Sequence, residues 1–450
     1  MNFLCKLGIK KILILIKNKK ISNYELTKCC INNILKILKK NNFNIELYYK
    51  ESLNFAKKMD NLKKILLPIS LKNIFLINKK KISCNSKLLK KNVSLCDSNI
   101  IKILKKNNFN ILSFDKLDEF CIGSTGITSN NLNNNLNNNS FIGGSSSGSS
   151  LNISYGCNIF SLTSDTGGSS RSPASFCNII GYKPTNGIFS RNGMFNYSSY
   201  LDNCSITTNN SEDCKFIFNI LKNKNLDIHS NYKYIYFNFK KKNNFIIFNY
   251  KEQYFIKEIN LLFNNIIKNL EELKFNIINK KINFFSFINV YEILSSKEFY
   301  SNSCKYDGIK YGFKKYIYKN ENDFIKLNRI FFKNCKNKIL LGKNYFNFKN
   351  YFNIEKIKKF YIECFLNANF LLIPTNLDKF VLSDNKYSDY IDFLSVFSNI
   401  IGYPSINLNM GKINHSFLGF QIIANKNCDL DLINLSILYE SFNFKKYVYC

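Results

Sequence analysis

Glycine and serine concentrate in one stretch of this chain, between Gly143 and Gly187. In order along the chain, this stretch contains GGSSSGSS (143–150), SDTGGSSRSPASFC (164–177) and GYKPTNG (181–187). The chain has 18 glycines, and eight of them lie here. Glycine allows positive φ and lets other groups approach the main chain closely. Two Gly-Gly-Ser turns joined by a short apolar strand therefore predict a binding surface of backbone amides with hydroxyl groups projecting from it.

The second Gly-Gly-Ser turn is predicted to lie at a corner between a strand and a helix. Ile159–Thr163 is typical of a short strand, and Ser172-Pro173 is typical of a helix start, with an N-cap serine followed by proline. Consecutive amides at such a corner can point into one concavity, as in an oxyanion hole. The amides concerned are those of Thr166, Gly167, Gly168 and Ser169. A plain surface loop stays open as an alternative, whereas a phosphate-binding loop lacks its Gly-Lys-Ser/Thr ending.

A second candidate group stands at the end of an apolar run. Ile65–Leu71 is predicted to be a buried strand, and Lys72 follows it directly. Burial lowers the pKa of a lysine, which a general base needs near neutral pH. The alternative is a lysine at a strand end that keeps its ammonium in water. The two histidines, His229 and His415, lie away from these motifs, which favours a Ser-Lys arrangement over a Ser-His-Asp triad.

Taken together, these motifs resemble the amidase signature family of serine hydrolases. The family's Pro-Ile-x-x-Lys motif is matched by 68–72, and DKLDEFCIGS (115–124) resembles another of its segments. The resemblance implies that Ser169 is the nucleophile. It also implies that Ser145, held by a cis peptide, relays protons to Lys72.

The resemblance also implies the fold. We expect an α/β structure with a mixed, twisted central β-sheet flanked by helices on both faces. Although the length alone allows about three domains, we expect 1–450 to form one amidase domain. Within it we predict a helical region at 22–60, the signature core at 65–205 and a substrate-binding and C-terminal part at 285–440. The Asn-rich segment 129–139 is interpreted as a low-complexity loop.

The first helix is predicted from a capping box at its start. Ser22 and Glu25 have the spacing of that motif. Apolar residues then recur at helical spacing and are predicted to face the core. They are Leu26, Ile31, Ile34, Leu35 and Leu38.

Later segments resemble the A subunits of glutamyl-tRNA(Gln) amidotransferases, a branch of the same family. The matching segments include KPTNG (183–187), YDGIKYG (306–312), ILLG (339–342) and LGFQII (418–423), and the resemblance fades between about 205 and 285. In that branch a tyrosine, an arginine and an aspartate hold glutamine. The implied residues are Tyr291, Lys338 and Asp392. Lys338 replaces the arginine, and a lysine cannot make the planar two-point contact with a carboxylate.

This resemblance implies a glutaminase that supplies ammonia to a partner. The expected partners are the B subunit of the amidotransferase and possibly its C subunit, which would use ATP and Mg²⁺ to convert Glu-tRNA(Gln). No cofactor, metal or membrane is expected for this chain itself, and a cytoplasmic location is expected. Two alternatives remain: a free-standing amide hydrolase with another substrate, and a basic RNA-binding scaffold with decayed chemistry. Ser147, Ser170 and Lys338 depart from the family pattern and support the latter.

Composition bears on partners and on the redox environment. The formal net charge is +33, which indicates either a nucleic-acid partner or compositional drift. Because Lys, Asn, Ile and Phe are abundant throughout while Trp is absent, drift is favoured. The 15 cysteines show no Cys-x-x-Cys spacing, so buried free thiols are expected, as in a reducing compartment. The expected buried thiols include Cys29, Cys30, Cys121 and Cys177.

Overall fold

The structure, a computed structural model, describes ten segments of the chain. They are 4–38, 43–126, 142–222, 244–249, 257–281, 285–312, 320–346, 354–376, 394–413 and 416–448. The predicted loop at 129–139, both histidines and the predicted ligand Asp392 lie outside these segments.

The strands and helices alternate along much of the chain. The strands are β1 Asn44–Leu47, β2 Leu67–Lys72, β3 Phe109–Asp115, β4 Phe160–Asp165, β5 Ile180–Lys183, β6 Asn203–Thr208, β7 Asn244–Asn249, β8 Asn276–Lys281, β9 Phe370–Pro374, β10 Ser405–Ile413 and β11 Ser416–Ala424. The helices are α1 Ile9–Lys17, α2 Asn23–Leu38, α3 Tyr49–Asn61, α4 Asn99–Lys106, α5 Ser147–Ser154, α6 Arg171–Phe176, α7 Ser211–Leu221, α8 Lys257–Glu272, α9 Phe285–Ser303, α10 Glu321–Asn328, α11 Lys333–Phe346, α12 Ile354–Asn367, α13 Val396–Ile401 and α14 Asp429–Val448.

The described strands form one mixed sheet. Their order is β1-β3-β2-β4-β6-β5-β10-β11-β9-β7-β8. β2 runs parallel to β3 and β4, whereas the strands from β4 through β6, β5, β10 and β11 to β9 pair antiparallel. The parallel pairs β9–β7 and β7–β8 complete the far edge. The predicted mixed central sheet flanked by helices is confirmed.

Burial places the middle of the sheet inside the molecule. Every residue of β2, β4, β5 and β6 is buried. Since successive side chains of a strand point to opposite faces, both faces of these strands are covered. Within the described residues, no helix combines the length and apolar character needed to cross a membrane.

The first predicted helix forms with its capping box. The Ser22 amide donates to the Glu25 carboxylate at 2.8 Å, and the Glu25 amide donates to the Ser22 hydroxyl at 3.1 Å. Leu26, Ile31 and Ile34 are buried as predicted, but Leu35 is 42% exposed. The prediction for Leu35 is wrong because the buried face of this helix is centred on Leu26, Cys30 and Ile34, four residues apart. Leu35 lies about 100° beyond Ile34, past the edge of that face.

The predicted corner around Ser169 forms with a shifted helix start. β4 ends at Asp165 and α6 begins at Arg171, so the prediction of Ser172 as the N-cap is wrong. The Ser172 amide already donates to the Gly168 carbonyl at 2.8 Å, which continues the helical turn backwards. Pro173 then lies in the first turn, where its missing N–H costs nothing.

Candidate active site

Lys72 lies at the end of a central strand and is fully buried. Its Nζ is 2.8 Å from the Ser145 Oγ and 2.9 Å from the Ser164 Oγ. Ser164 belongs to β4, the strand next to β2, while Ser145 follows a cis peptide after Gly144. The lysine is therefore held inside the protein by two hydroxyls from separate segments, and the solvated alternative is excluded.

The two Gly-Gly-Ser turns lie side by side. The Ser146 amide donates to the Ser169 carbonyl at 3.1 Å, which joins the turns through their backbones. Ser169 is 4% exposed and lines the adjoining cavity. Among the described residues, the hydrogen bonds of Lys72 Nζ go to the hydroxyls of Ser145 and Ser164 rather than to Ser169. The structure thus brings Lys72 and Ser145 together and sets Ser169 in the cavity wall beside them.

One of the four predicted oxyanion donors is directed elsewhere. The Gly168 amide donates to Asp165 Oδ1 at 2.9 Å, and its role as an oxyanion donor stays a prediction. The amides of Thr166, Gly167 and Ser169 have no acceptor among the residues that the structure describes. These three amides are the ones left to hold an oxyanion. A Cβ at Gly167 would lie 2.7 Å from the Tyr291 ring, so a larger residue at this position would displace that ring.

A buried ion pair that was not predicted from the sequence supports the turn that carries Ser169. Arg171 Nη2 is 2.9 Å from Asp165 Oδ1, Arg171 Nε is 3.0 Å from Asp165 Oδ2, and both side chains are fully buried. Arg171 also donates to Asn399 at 2.7 Å and to Gln421 at 2.6 Å. Burial alone would raise the pKa of Asp165, but the Arg171 guanidinium outweighs it and holds that pKa at about 2. The pair thus ties the turn to the C-terminal half of the sheet.

A second buried carboxylate, that of Asp202, holds the start of the same turn through Thr166. Thr166 Oγ1 donates to Asp202 at 2.6 Å, and Asp202 also accepts the amides of Tyr197 and Ser198 at 2.8 and 3.0 Å. Burial raises the pKa of Asp202 to about 6, although these hydrogen bonds oppose the shift. Asp202 therefore links the candidate oxyanion turn to Tyr197, which lines the cavity.

The cavity has a volume of about 500 Å³ and opens between the Ser169 turn and two helices. Helix α9 contributes Tyr291 and Glu292 to its wall, and α11 contributes Lys338. Both predicted substrate contacts within the described residues, Tyr291 and Lys338, therefore lie in the same cavity as Ser169. Their roles stay predictions, as does that of Asp392.

Lys338 is not a solvated charge. It is 8% exposed, its ammonium lies 5.6 Å from the centre of the Tyr291 ring, and it donates to Glu292 at 2.7 Å. Burial by itself lowers the pKa of Lys338, but Tyr197 and Glu292 together raise it above its ordinary value. Glu292 was not predicted from the sequence; it directly follows the predicted contact Tyr291.

The described residues also bear on metals and thiols. Among them, no group of three or more His, Cys, Asp or Glu side chains is placed to hold a metal ion. Cys29, Cys30, Cys121 and Cys177 are buried thiols that form no disulfide, which confirms the prediction for these four.

Comparisons with known proteins identify full-length relatives. The A subunit of glutamyl-tRNA(Gln) amidotransferase from Borreliella afzelii is 29% identical, with 96% of this chain and 97% of that protein aligned. The protein of the same name from Fusobacterium nucleatum is 28% identical over 94% of each chain.

Solved structures share the fold. The crystal structure of the A subunit of glutamyl-tRNA(Gln) amidotransferase from Thermotoga maritima is 22% identical, with a TM-score of 0.75 over 96% of this chain and 93% of that chain. Kluyveromyces lactis allophanate hydrolase is 19% identical, with a TM-score of 0.78 over 95% of this chain and 72% of that chain. The family model named Amidase matches residues 25–433. Because this match spans most of the chain, the protein belongs to the amidase family.

Proposed function

We propose that this chain is the glutamine-hydrolysing A subunit of a tRNA-dependent amidotransferase. The observation that carries the proposal is the buried Lys72 amine, 2.8 Å from the Ser145 hydroxyl and beside the Ser169 cavity. That arrangement suits amide hydrolysis by a serine nucleophile. The choice of glutamine and of a tRNA-linked pathway is supported by the names of the full-length relatives.

The proposed reaction begins with proton transfer. Lys72 acts as the base and accepts the Ser145 hydroxyl proton, Ser145 accepts the Ser169 proton, and Ser169 Oγ attacks the side-chain amide carbon of glutamine. The amides of Thr166, Gly167 and Ser169 hold the oxygen as it becomes negative. Losing one such donor raises the barrier by roughly 3 kcal/mol.

The proposed reaction then releases ammonia. The proton returns through Ser145 to the departing nitrogen, and the C–N bond breaks to leave a glutamyl ester on Ser169. Water attacks this ester with the same relay acting as base, which regenerates the serine and yields glutamate. We assign the consumption of ammonia to the B subunit of the complex, possibly with its C subunit, where ATP and Mg²⁺ would activate Glu-tRNA(Gln). A cytoplasmic location follows from this role.

The decisive test is Ser169→Ala in a complex reconstituted with the partner subunits, ATP and Glu-tRNA(Gln). Gln-tRNA(Gln) formation from glutamine should fall by at least about a thousandfold, because the nucleophile is lost. Formation from free ammonium should be unchanged, because it bypasses the glutaminase. Ser441→Ala, an exposed serine on α14, is the matched control and should leave both activities intact.

Two results would contradict the proposal. Equal survival of both activities in Ser169→Ala would show that another group is the nucleophile. Turnover of simple amides by the isolated chain, at rates that the partner subunits do not change, would instead favour a free-standing amide hydrolase.

A further inference from the structure

In the cavity beside Ser169, the carboxylate of Glu292 is already paired with the ammonium of Lys338. Glu292 Oε2 lies 2.7 Å from Lys338 Nζ, and the other Glu292 oxygen lies 3.4 Å from the Ser296 hydroxyl. The Glu292 side chain is 37% exposed, against 10% for Lys338. Among the described residues that line this cavity, Glu292 is the one with a carboxylate and Lys338 is the one with an ammonium. Their charges cancel, so the described wall is neutral overall.

The pairing is built into the packing of two helices. Gly342 on α11 lies so close to α9 that a Cβ there would be 2.1 Å from the Ser296 carbonyl oxygen. Glu292 precedes Ser296 by four residues, and Lys338 precedes Gly342 by four residues. Since residues four apart share one face of a helix, the close approach at Gly342 brings Lys338 and Glu292 together one turn away.

This arrangement limits which ligands can use Lys338. A ligand that carries a carboxylate alone would place a second negative charge beside Glu292, and such like charges are unfavourable in a partly buried site. A ligand that also carries an ammonium can pair with both residues. The ligand's carboxylate pairs with Lys338, and the ligand's ammonium then pairs with Glu292. The partly exposed position of Glu292 leaves its carboxylate accessible for that exchange.

We propose that Glu292 is a specificity residue that selects zwitterionic α-amino-acid amides over amides bearing only a carboxylate. In the empty site Glu292 neutralises Lys338, and in the bound site it pairs with the α-ammonium of the substrate. The inference rests on the proposed function for the identity of the substrate as glutamine.

The test compares two ligand pairs that differ only in the α-amino group. In the reconstituted complex, hydrolysis of glutamine is compared with hydrolysis of glutaramate, which is glutamine without that group. In the isolated chain, the rise in Tm caused by glutamate is compared with the rise caused by glutarate. The variants are Glu292→Gln, which keeps the shape of the side chain, and Glu321→Gln, an exposed control on α10.

We expect the wild type and Glu321→Gln to prefer the ligand with the amino group in both assays. In Glu292→Gln the kcat/KM ratio of glutamine to glutaramate should fall by at least about tenfold, mainly through KM. The Tm rise with glutarate should increase in the same variant, because Lys338 has lost its carboxylate. The unliganded Tm of Glu292→Gln reports separately on folding.

The outcomes separate the two proposals. Glutamine hydrolysis with an unchanged ratio in Glu292→Gln overturns the role of Glu292 and leaves the proposed function intact. Absence of glutamine hydrolysis, with a glutamate preference that Glu292→Gln removes, overturns the proposed function and supports the role of Glu292. Equal Tm rises with glutamate and glutarate in the wild type overturn the role of Glu292.

Discussion

Single residues in the core of this site carry charges or amines that water does not reach. Lys72 is surrounded by hydroxyls, whereas Asp165 and Arg171 face each other as a two-point ion pair. A buried pair of this kind adds little net stability compared with apolar residues, but losing one partner leaves an uncompensated charge. Its value here is positional, because Asp165 also accepts the Gly168 and Ser170 amides on either side of Ser169.

Asp165→Asn should therefore be strongly destabilising. Breaking a buried pair costs about 3–5 kcal/mol, which urea unfolding at neutral pH would measure. Glu51→Gln removes one partner of the exposed Lys80–Glu51 pair and should cost no more than about 1 kcal/mol. Equal losses in the two variants would contradict the role assigned to Asp165.

The same prediction has a pH signature. The pKa of Asp165 is held at about 2, below its ordinary value of 3.8. The stability it contributes is fully present above pH 3.8 and is lost as the pH falls through 2. The difference in unfolding free energy between the wild type and Asp165→Asn should narrow over that window.

Among the elements, the packing of α9 against α11 shapes the substrate cavity. Gly342→Ala would place a methyl group within 2.1 Å of the Ser296 carbonyl, so the helices must separate. Helix propensity alone predicts stabilisation by about 1 kcal/mol. We expect instead a loss of about 1–3 kcal/mol from overpacking. The KM for glutamine should rise, because Lys338 and Glu292 move apart.

Lys343→Ala is the matched control for that substitution. It lies next to Gly342 on α11 but is exposed, so it tests helix propensity without the clash. A higher Tm for Gly342→Ala than for the wild type would show that the helices are not in contact at this point.

At the scale of the whole molecule, the most pronounced property is the excess of positive charge. The chain carries a net charge of +33, and two of the ion pairs in its described part, Arg171–Asp165 and Lys338–Glu292, belong to the site. If the remaining lysines reflect compositional drift, their contacts with nucleic acid go to phosphates and carry no sequence information.

The isolated chain should then bind tRNA(Gln) and an unrelated tRNA with equal affinity. Both affinities should fall steeply and in parallel between about 50 and 200 mM salt, which filter binding or fluorescence anisotropy would measure, because counterion release drives such binding. A preference for tRNA(Gln) that persists across this range would instead support an RNA-binding role for this chain.

The structural features that the sequence determined by itself are local or depend on side-chain type. The capping box at Ser22, the strand ending at Lys72 and the corner before Ser169 all follow from patterns within a few residues. The pairing of Lys72 with Ser145 was predicted through the resemblance to the amidase signature family, and the roles of Ser145 and Ser169 stay predictions.

The contacts that only the tertiary structure decided join residues that are far apart in the chain. The contacts of Arg171 with Asn399 and Gln421, and the pairing of Glu292 with Lys338, have no local pattern. Burial and charge pairing are properties of the assembled interior, where segments more than 200 residues apart meet. A sequence can therefore supply a lysine for the cavity wall, but only the packing of α11 on α9 decides which carboxylate it faces.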